Sequence, residues 1–425
     1  MVTRLLVIFL ILVLLAFMDW YIIQAMRQLT GSFSSGLRKG VTFVAWALTI
    51  GSLISVLIFL LTPAFQNTVL RSVLGIIIFS NLITKLFMTV FLFVDDIVRL
   101  GKWIVSFFTT ESSPAIPNNQ QPTTSNQNVI PRSEFLVKAA VVAGALPLVG
   151  IGYGIILGAH DYRVRRITVK LPNLPKSFDG IRIAQISDIH SGSFFNKRAV
   201  KGGVEMILKE KADVIFFTGD LVNNVATEVE DYIPVFEKLK APLGIYSTLG
   251  NHDYGDYASW PSQQAKRQNL ENLKQAHKLL GWDLLMNEHR MLKQGGEQLA
   301  IIGIENYGAR GNFPKYGKLA PAYTGTQDAP VKLLLSHDPS HWDAQVRPEY
   351  PDIDIMFAGH THGMQFGVEI GNIKWSPVQY MYEQWAGLYQ KGKQYLYVNR
   401  GFGYIGFPGR IGMPPEITIM ELKSV

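Results

Sequence analysis

The sequence predicts an α/β domain carried behind about four transmembrane helices. Three observations lead there. Hydrophobic residues make up 48% of the chain and charged residues only 17%, and the apolar excess lies before residue 160. From about residue 163 short β-rich apolar runs alternate with helical patterns. These runs end in polar blocks: Asp188-Ile189-His190, Gly219-Asp220, Gly250-Asn251-His252-Asp253, Ser336-His337-Asp338 and Gly359-His360-Thr361-His362-Gly363.

The membrane part comes first. A bilayer core takes roughly 20 apolar residues per helix, and residues 5–23, 41–61, 73–94 and 135–159 answer to that length. Asp19 falls near the end of the first stretch, Lys85 inside the third and Pro147 within the fourth. Lys85 reads either as part of a polar pathway or as a lysine facing a neighbouring helix. Residues 109–134, rich in Ser, Thr, Asn, Gln and Pro, cannot bury a core and read as a flexible linker. The expected organisation is therefore three helices over 1–108, the linker over 109–134, a fourth helix over 135–160 and a soluble α/β domain over 163–425. Basic residues divide evenly between the two faces of such a four-span chain, so charge alone does not orient it. Residues 131–138 resemble a twin-arginine export signal with one arginine in place of two. That resemblance leans the domain to the extracytoplasmic side of a multi-pass protein of the cell membrane.

Composition removes several classes of function. The chain has no cysteine, which excludes disulfides, thiolate zinc sites and cysteine nucleophiles. Its net charge of +7 fits basic residues beside lipid headgroups, and it has no lysine-rich or arginine-rich tract. Membrane lipids are the expected partners, and a nucleic-acid polymer is not.

In the soluble part, strands are expected over 181–186, 214–217, 244–249, 299–304, 331–335 and 353–357. A helix over 197–209 places Val200, Val204, Ile207 and Leu208 on one face. Polar blocks at the carboxyl ends of strands that share a sheet converge in space, which is how residues so far apart in sequence can form one site. Carboxylates, an amide and imidazoles without thiolates suit Mn, Zn or Fe. Asp188 and His190, two apart on an extended strand, would point to one face, and His360 and His362 repeat the spacing. Gly219 would let the backbone turn close to the metals beside Asp220, whose two oxygens can bridge two cations.

The order and spacing of these blocks over about residues 163–425 resemble the calcineurin-like metallophosphoesterase family. The runs Ile186–Gly192, Gly359–Gly363 and Asn399–Gly403, with Pro414-Pro415-Glu416-Ile417, resemble its bacterial membrane-attached branch. The resemblance implies a four-layer sandwich of two mixed β-sheets flanked by helices. It implies two divalent metal ions, one held by Asp188, His190, Asp220 and His362. The other would be held by Asp220, Asn251, His337 and His360, with Asp220 as the bridge. A hydroxide between the ions would attack phosphorus in line, and His252, not a ligand, would protonate the leaving group. Asn223 and Asp253 would stand behind this set. Asn223 replaces an aspartate that in many members orients the catalytic histidine, which leaves the protonation of His252 open. Gly363-Met364 stands where a glycine pair is common.

Around the site, Tyr254, Tyr257 and Trp260 could form an apolar lip or pack a helix. Arg310 could bind a second phosphate or be a solvated loop arginine, and Trp375, Tyr380, Tyr382 and Trp385 add aromatic residues late in the chain. The expected activity is that of a membrane-anchored phosphoester hydrolase acting on a lipid or lipid-linked phosphodiester or pyrophosphate. The alternatives are a tethered phosphoesterase for soluble nucleotides or phosphoproteins, and a catalytically inactive membrane scaffold.

Overall fold

The computed structural model describes residues 2–30, 33–61, 68–108, 132–371 and 373–425; residues 109–131 of the expected linker lie outside the described residues. The chain divides into two compact units, Met1–Gly152 and Tyr153–Val425.

The first unit is helical: α1 (Val2–Leu29), α2 (Ser35–Leu61), α3 (Thr68–Ser106) and most of α4 (Arg132–Ile156). Among the described residues three stretches are long and apolar enough to cross a membrane: Ser35–Ile58, Val73–Ser106 and Val137–His160. α3 continues past the expected end at 94 because Ile97, Leu100 and Ile104 keep an apolar stripe at helical spacing after Asp95-Asp96. α4 starts at Arg132 rather than 135. Ile22, Leu92, Val137 and Ala140 form a buried cluster that joins α1, α3 and α4. Many large apolar side chains, Phe43 and Val142 among them, face outward, the arrangement expected where lipid is the solvent. Lys85 and Asp19 meet inside this unit, Nζ to Oδ2 2.8 Å, so the two charges noted separately in the sequence neutralise each other.

The second unit is a sandwich. Its strands are β1 (Arg163–Leu171), β2 (Arg182–Ile186), β3 (Val214–Thr218), β4 (Ile245–Thr248), β5 (Asp283–Leu284), β6 (Glu288–Gln294) and β7 (Glu297–Gly303). There follow β8 (Lys332–Leu335), β9 (Ile355–Ala358), β10 (Val368–Ile370), β11 (Ile373–Trp375), β12 (Gly387–Lys391), β13 (Gln394–Val398) and β14 (Glu416–Ser424). One sheet runs β1-β14-β2-β3-β4-β5 and the other β12-β13-β9-β8-β7-β6, while β10 and β11 pair with each other. Both large sheets are mixed: β2, β3 and β4 are parallel with β14 antiparallel to β2, and β13, β9, β8 and β7 are parallel with β12 and β6 antiparallel at the edges.

Three apolar layers separate these sheets and their helices. Ile183, Phe216, Leu333, Phe357, Tyr397 and Met420 fill the space between the sheets. α5 (Lys197–Lys209), α6 (Ile233–Phe236) and α7 (Gln263–Leu279) cover the first sheet, and Val200, Val204 and Ile207 of α5 point inward as their spacing requires. Trp342, Val346 and the short α8 (Leu319–Tyr323) cover the second sheet. Polar ties cross the sandwich: Tyr397 of β13 donates to Glu416 of β14 at 2.6 Å, and Gln185 of β2 donates to the carbonyl of Ala358 of β9 at 2.9 Å. The carboxyl ends of β2, β3, β4, β8 and β9 thereby come together at one rim.

Candidate metal centre

The five polar blocks follow β2, β3, β4, β8 and β9 and meet at that rim. Asp188, His190 and His362 each offer a ligand-type atom within 4.8 Å of the others, and so do Asp220, His337 and His360. His362 Nε2 lies 3.2 Å from Asp188 Oδ1 and 3.0 Å from His190 Nε2. Asp220 Oδ2 lies 3.1 Å from His337 Nε2 and 3.5 Å from His190 Nε2, so one carboxylate oxygen stands between the two groups. Asn251 Oδ1 approaches His360 Nδ1 at 2.8 Å. The seven residues proposed from sequence as ligands are thus neighbours.

The reason they point inward differs from the extended-strand expectation. β2 ends at Ile186, and Asp188 (φ 51°), His190 (φ 48°), Asp220 (φ 59°), His360 (φ 72°) and His362 (φ 51°) all take the left-handed backbone conformation. Each such residue costs roughly 1–2 kcal/mol. Hydrogen bonds between the crossing loops hold them: Asp188 N–H donates to Gly219 O at 2.9 Å, His190 N–H to Asp220 O at 3.1 Å, and Gly359 N–H to His337 O at 2.9 Å. The Asp188 carboxylate accepts from His360 N–H at 3.0 Å. Two glycines make the crossing possible. A Cβ on Gly359 would run into Ser187 Oγ and the Asp188 carboxylate, and one on Gly219 (φ 91°) would meet Gly250 N and His337 Nδ1.

The donor set fits two hard or borderline cations. His337 gives its Nδ1–H to the carbonyl of Thr218 at 2.6 Å, which leaves its buried Nε2 without a hydrogen-bond partner and aimed at Asp220. That is the tautomer a metal-binding Nε2 requires. Burial opposes protonation of His337, but Asp220 and Asp188 outweigh it and push the ring up to about 10, so without a cation Nε2 also holds a proton toward Asp220, which a metal ion would have to displace. Burial likewise opposes the charge on Asp188, yet His362 and His337 hold its carboxyl below the usual range. Burial drives His190 well below an ordinary histidine. Two buried carboxylates, Asp188 and Asp220, face four imidazoles, His190, His337, His360 and His362, a donor set that divalent cations between them would satisfy.

His252 stands beside these groups, its ring edge-on to His190 with centroids 5.0 Å apart. Its main-chain N–H donates to Asp220 Oδ1 at 2.9 Å, and its Nδ1 lies 2.8 Å from the main-chain carbonyl of Asn223. A carbonyl only accepts, so Nδ1 carries the proton and Nε2 is the free nitrogen. Asn223 stands behind His252 through its main-chain carbonyl rather than its side chain. That side chain turns to Ser193 Oγ at 3.0 Å, because the turn at 223–225 is closed instead by Glu228, which accepts from Asn223 N–H at 2.5 Å. Asp253 takes no part in ligation geometry. Its oxygens accept from the main-chain N–H groups of Asp220 (2.9 Å), Leu221 (2.8 Å) and Gly250 (2.8 Å), pinning two ligand loops together.

The aromatic lip is narrower than the sequence suggested. Tyr257 lies against His252 at a tilt, ring centroids 4.7 Å apart, and its hydroxyl accepts from Asn251 Nδ2 at 2.9 Å. Tyr254 is buried and accepts from Asn306 N–H at 3.1 Å, and Trp260 donates to Gly255 O at 2.7 Å, so both serve packing. Arg310 binds the carbonyl of Met381 at 2.7 Å, holding the segment that brings Tyr382 Oη to 2.8 Å from His360 Nε2. Arg410 went unnoticed in the sequence. It is fully buried, with Nη2 at 3.2 Å from His362 Nδ1 and at 2.8 Å from Arg400 O. Gly-Arg-Ile-Gly carries no local signal for a buried guanidinium; only the absence of an acidic neighbour in sequence could have drawn attention to it.

Comparison with known proteins places both halves. Residues 181–364 match the family model for the calcineurin-like phosphoesterase, and residues 3–159 match the one described as "Probable Calcineurin-like phosphoesterase, transmembrane domain". The chain is 33% identical over 305 residues to the Bacillus subtilis (strain 168) metallophosphoesterase YkuE, covering 69% of this chain and 98% of that protein. It is 28% identical over 362 residues to a Danio rerio transmembrane protein with a metallophosphoesterase domain, covering 83% of this chain and 74% of that protein. Among solved structures it is similar to the Thermus thermophilus sulfate thiohydrolase SoxB, at 12% identity and a TM-score of 0.35, over 59% of this chain and 57% of that one.

Proposed function

From the premise that this chain belongs to the calcineurin-like metallophosphoesterase family and is a membrane-associated, metal-dependent phosphoesterase, we propose that it hydrolyses a phosphodiester or pyrophosphate carried on a lipid. The observation that carries the site assignment is the position of Asp220 Oδ2 between two ligand groups, 3.5 Å from His190 and 3.1 Å from His337. Asp188, His190, Asp220 and His362 would hold one divalent ion; Asp220, Asn251, His337 and His360 the other; Mn, Zn and Fe all suit these donors. When bound, such a pair neutralises phosphate oxygens and lowers the pKa of water.

The protein groups supply the rest. His252, its Nδ1–H held by the Asn223 carbonyl, presents Nε2 to the leaving-group oxygen; as an imidazolium, with a second proton on Nε2, it would pass that proton to the oxygen and be left as the neutral Nδ1–H ring. Tyr257 lies beside His252 and Tyr382 beside His360, so each would border a phosphoester bound at the site. The lipid assignment is supported by the membrane unit in the same chain and by the aromatic residues beside His360. The resemblance of residues 131–138 to an export signal supports an extracytoplasmic catalytic unit.

The test compares substrates. Full-length protein in vesicles, loaded with Mn, is offered phospholipids and lipid pyrophosphates in the same bilayer, and soluble nucleotides and phosphopeptides in the bath. Faster turnover of the lipid-borne esters is expected. Turnover confined to the soluble esters overturns the lipid reading, and a metal-loaded protein inert on both points to a scaffold.

A further inference from the structure

The β10–β11 hairpin is built inside out. Its strands alternate apolar and charged residues, Val368-Glu369-Ile370 against Ile373-Lys374-Trp375. In an ordinary hairpin the apolar face packs on the core and the charged face meets water. Here Val368, Ile370, Ile373 and Trp375 are 41%, 71%, 68% and 37% exposed. The charged residues turn inward instead: Glu369 receives Arg165 Nη1 at 3.1 Å, and Lys374 lies over the Trp385 ring at 4.4 Å. Such an inversion is unfavourable against water and favourable against hydrocarbon.

The hairpin hangs from the point where the last membrane-spanning stretch leaves off. That stretch ends at His160, and its residues from Tyr153 onward belong to the catalytic unit. Arg410 N–H donates to Gly154 O at 3.0 Å, and the next residue, Ile411, pairs with Phe366 and accepts from Gly367 N–H at 2.9 Å at the hairpin's base. Arg165, which grips Glu369, lies five residues beyond His160, a chain length of at most about 18 Å. The other end of the same apolar strip reaches the metal centre. Tyr380 (76% exposed) and Met381 (55%) lead to Tyr382, whose hydroxyl is 2.8 Å from His360 Nε2. Trp375 Nε1 donates to Tyr380 Oη at 3.4 Å, a pair of the kind that collects at membrane interfaces.

We propose that the β10–β11 hairpin and the Trp375–Met381 segment seat the catalytic unit on the surface of the bilayer in which the chain is anchored, with Ile370 and Ile373 in the headgroup–acyl boundary and the strip leading from lipid to the metal centre. The occupant is the phospholipid bilayer rather than a second protein. The inference rests on membrane anchorage and adds a delivery route to the lipid-substrate reading above, but the contact itself stands whether or not the substrate is a lipid.

The absence of cysteine makes the test direct. Ile370→Cys, Ile373→Cys and, as a control in α7, Leu279→Cys (66% exposed in the parent) each receive an environment-sensitive nitrobenzoxadiazole label. The full-length variants are placed in mixed phosphatidylcholine–phosphatidylglycerol vesicles, and those compared share the parent's thermal unfolding midpoint. Labels at 370 and 373 are expected to emit to the blue and to be quenched by doxyl-labelled lipid, independently of the protein-to-lipid ratio, while the label at 279 is not. Water-like emission at both 370 and 373 overturns the proposal. Shielding that disappears on dilution within the bilayer also overturns it and assigns the face to a second copy of the chain. A lipid-quenched hairpin on an enzyme that turns over only soluble esters removes the lipid-substrate reading and leaves the contact.

Discussion

His252 and Asn223 carry the sharpest expectations for single residues. His252 contacts Asp220 only through its main chain, so His252→Ala should leave both cations bound. It should lower kcat by about 100- to 10,000-fold, the usual worth of a positioned proton donor; metal analysis beside steady-state kinetics checks both halves. Since the Asn223 carbonyl and not its side chain meets His252, Asn223→Ala should change kcat by no more than about threefold and leave the pH–rate profile in place. A displaced profile would show that the side chain governs the imidazole after all. The ligands were legible as residue types because each block is local in sequence. Their left-handed backbone was not, since it is imposed by loops from different strands that bond to one another. Arg410 was not legible either, because its partners are carbonyls of Arg400, Gly401 and Gly403 brought together only by the fold.

At the scale of elements, α7 carries a pH dependence. His277 is fully buried, its Nδ1 3.0 Å from Ser247 Oγ, and burial pushes it down to about 3. The unfolded chain takes up this proton near pH 6.5 while the folded one does not, so the unfolded state binds more protons between those values. Stability is fully present above about pH 6.5 and falls, by about 1.4 kcal/mol per pH unit, as pH drops toward 3. His277→Gln should flatten this fall in thermal unfolding scans across that window. Within the membrane unit, the buried Lys85–Asp19 pair holds α3 to α1. Lys85→Met alone strands a carboxylate and should cost about 3–5 kcal/mol, whereas Asp19→Leu combined with Lys85→Met should recover most of the loss; unfolding midpoints of the detergent-purified single and double variants measure it. The alternation of apolar and charged residues at 368–370 and 373–375, where no strands are expected from the sequence, gives two unlike faces. It could not say which face turns outward, because that depends on Arg165 and Trp385, far away in the chain.

For the whole molecule, the order of the blocks and the strand before each one were readable because both depend on local runs of apolar and polar residues. Sheet order was not. β14, the last strand, inserts between β1 and β2, and β13 lies beside β9, pairings decided by long-range packing. That arrangement brings five loop blocks to one rim, and from it comes the central claim that Asp220 joins two metal ions. Electron paramagnetic resonance with metal counting on the Mn-loaded full-length protein tests this most directly. Two ions per chain with the signal of an exchange-coupled pair, giving way to a single uncoupled ion in His337→Ala, is the result expected. One ion per chain in the parent, or two that show no coupling, would contradict the bridge.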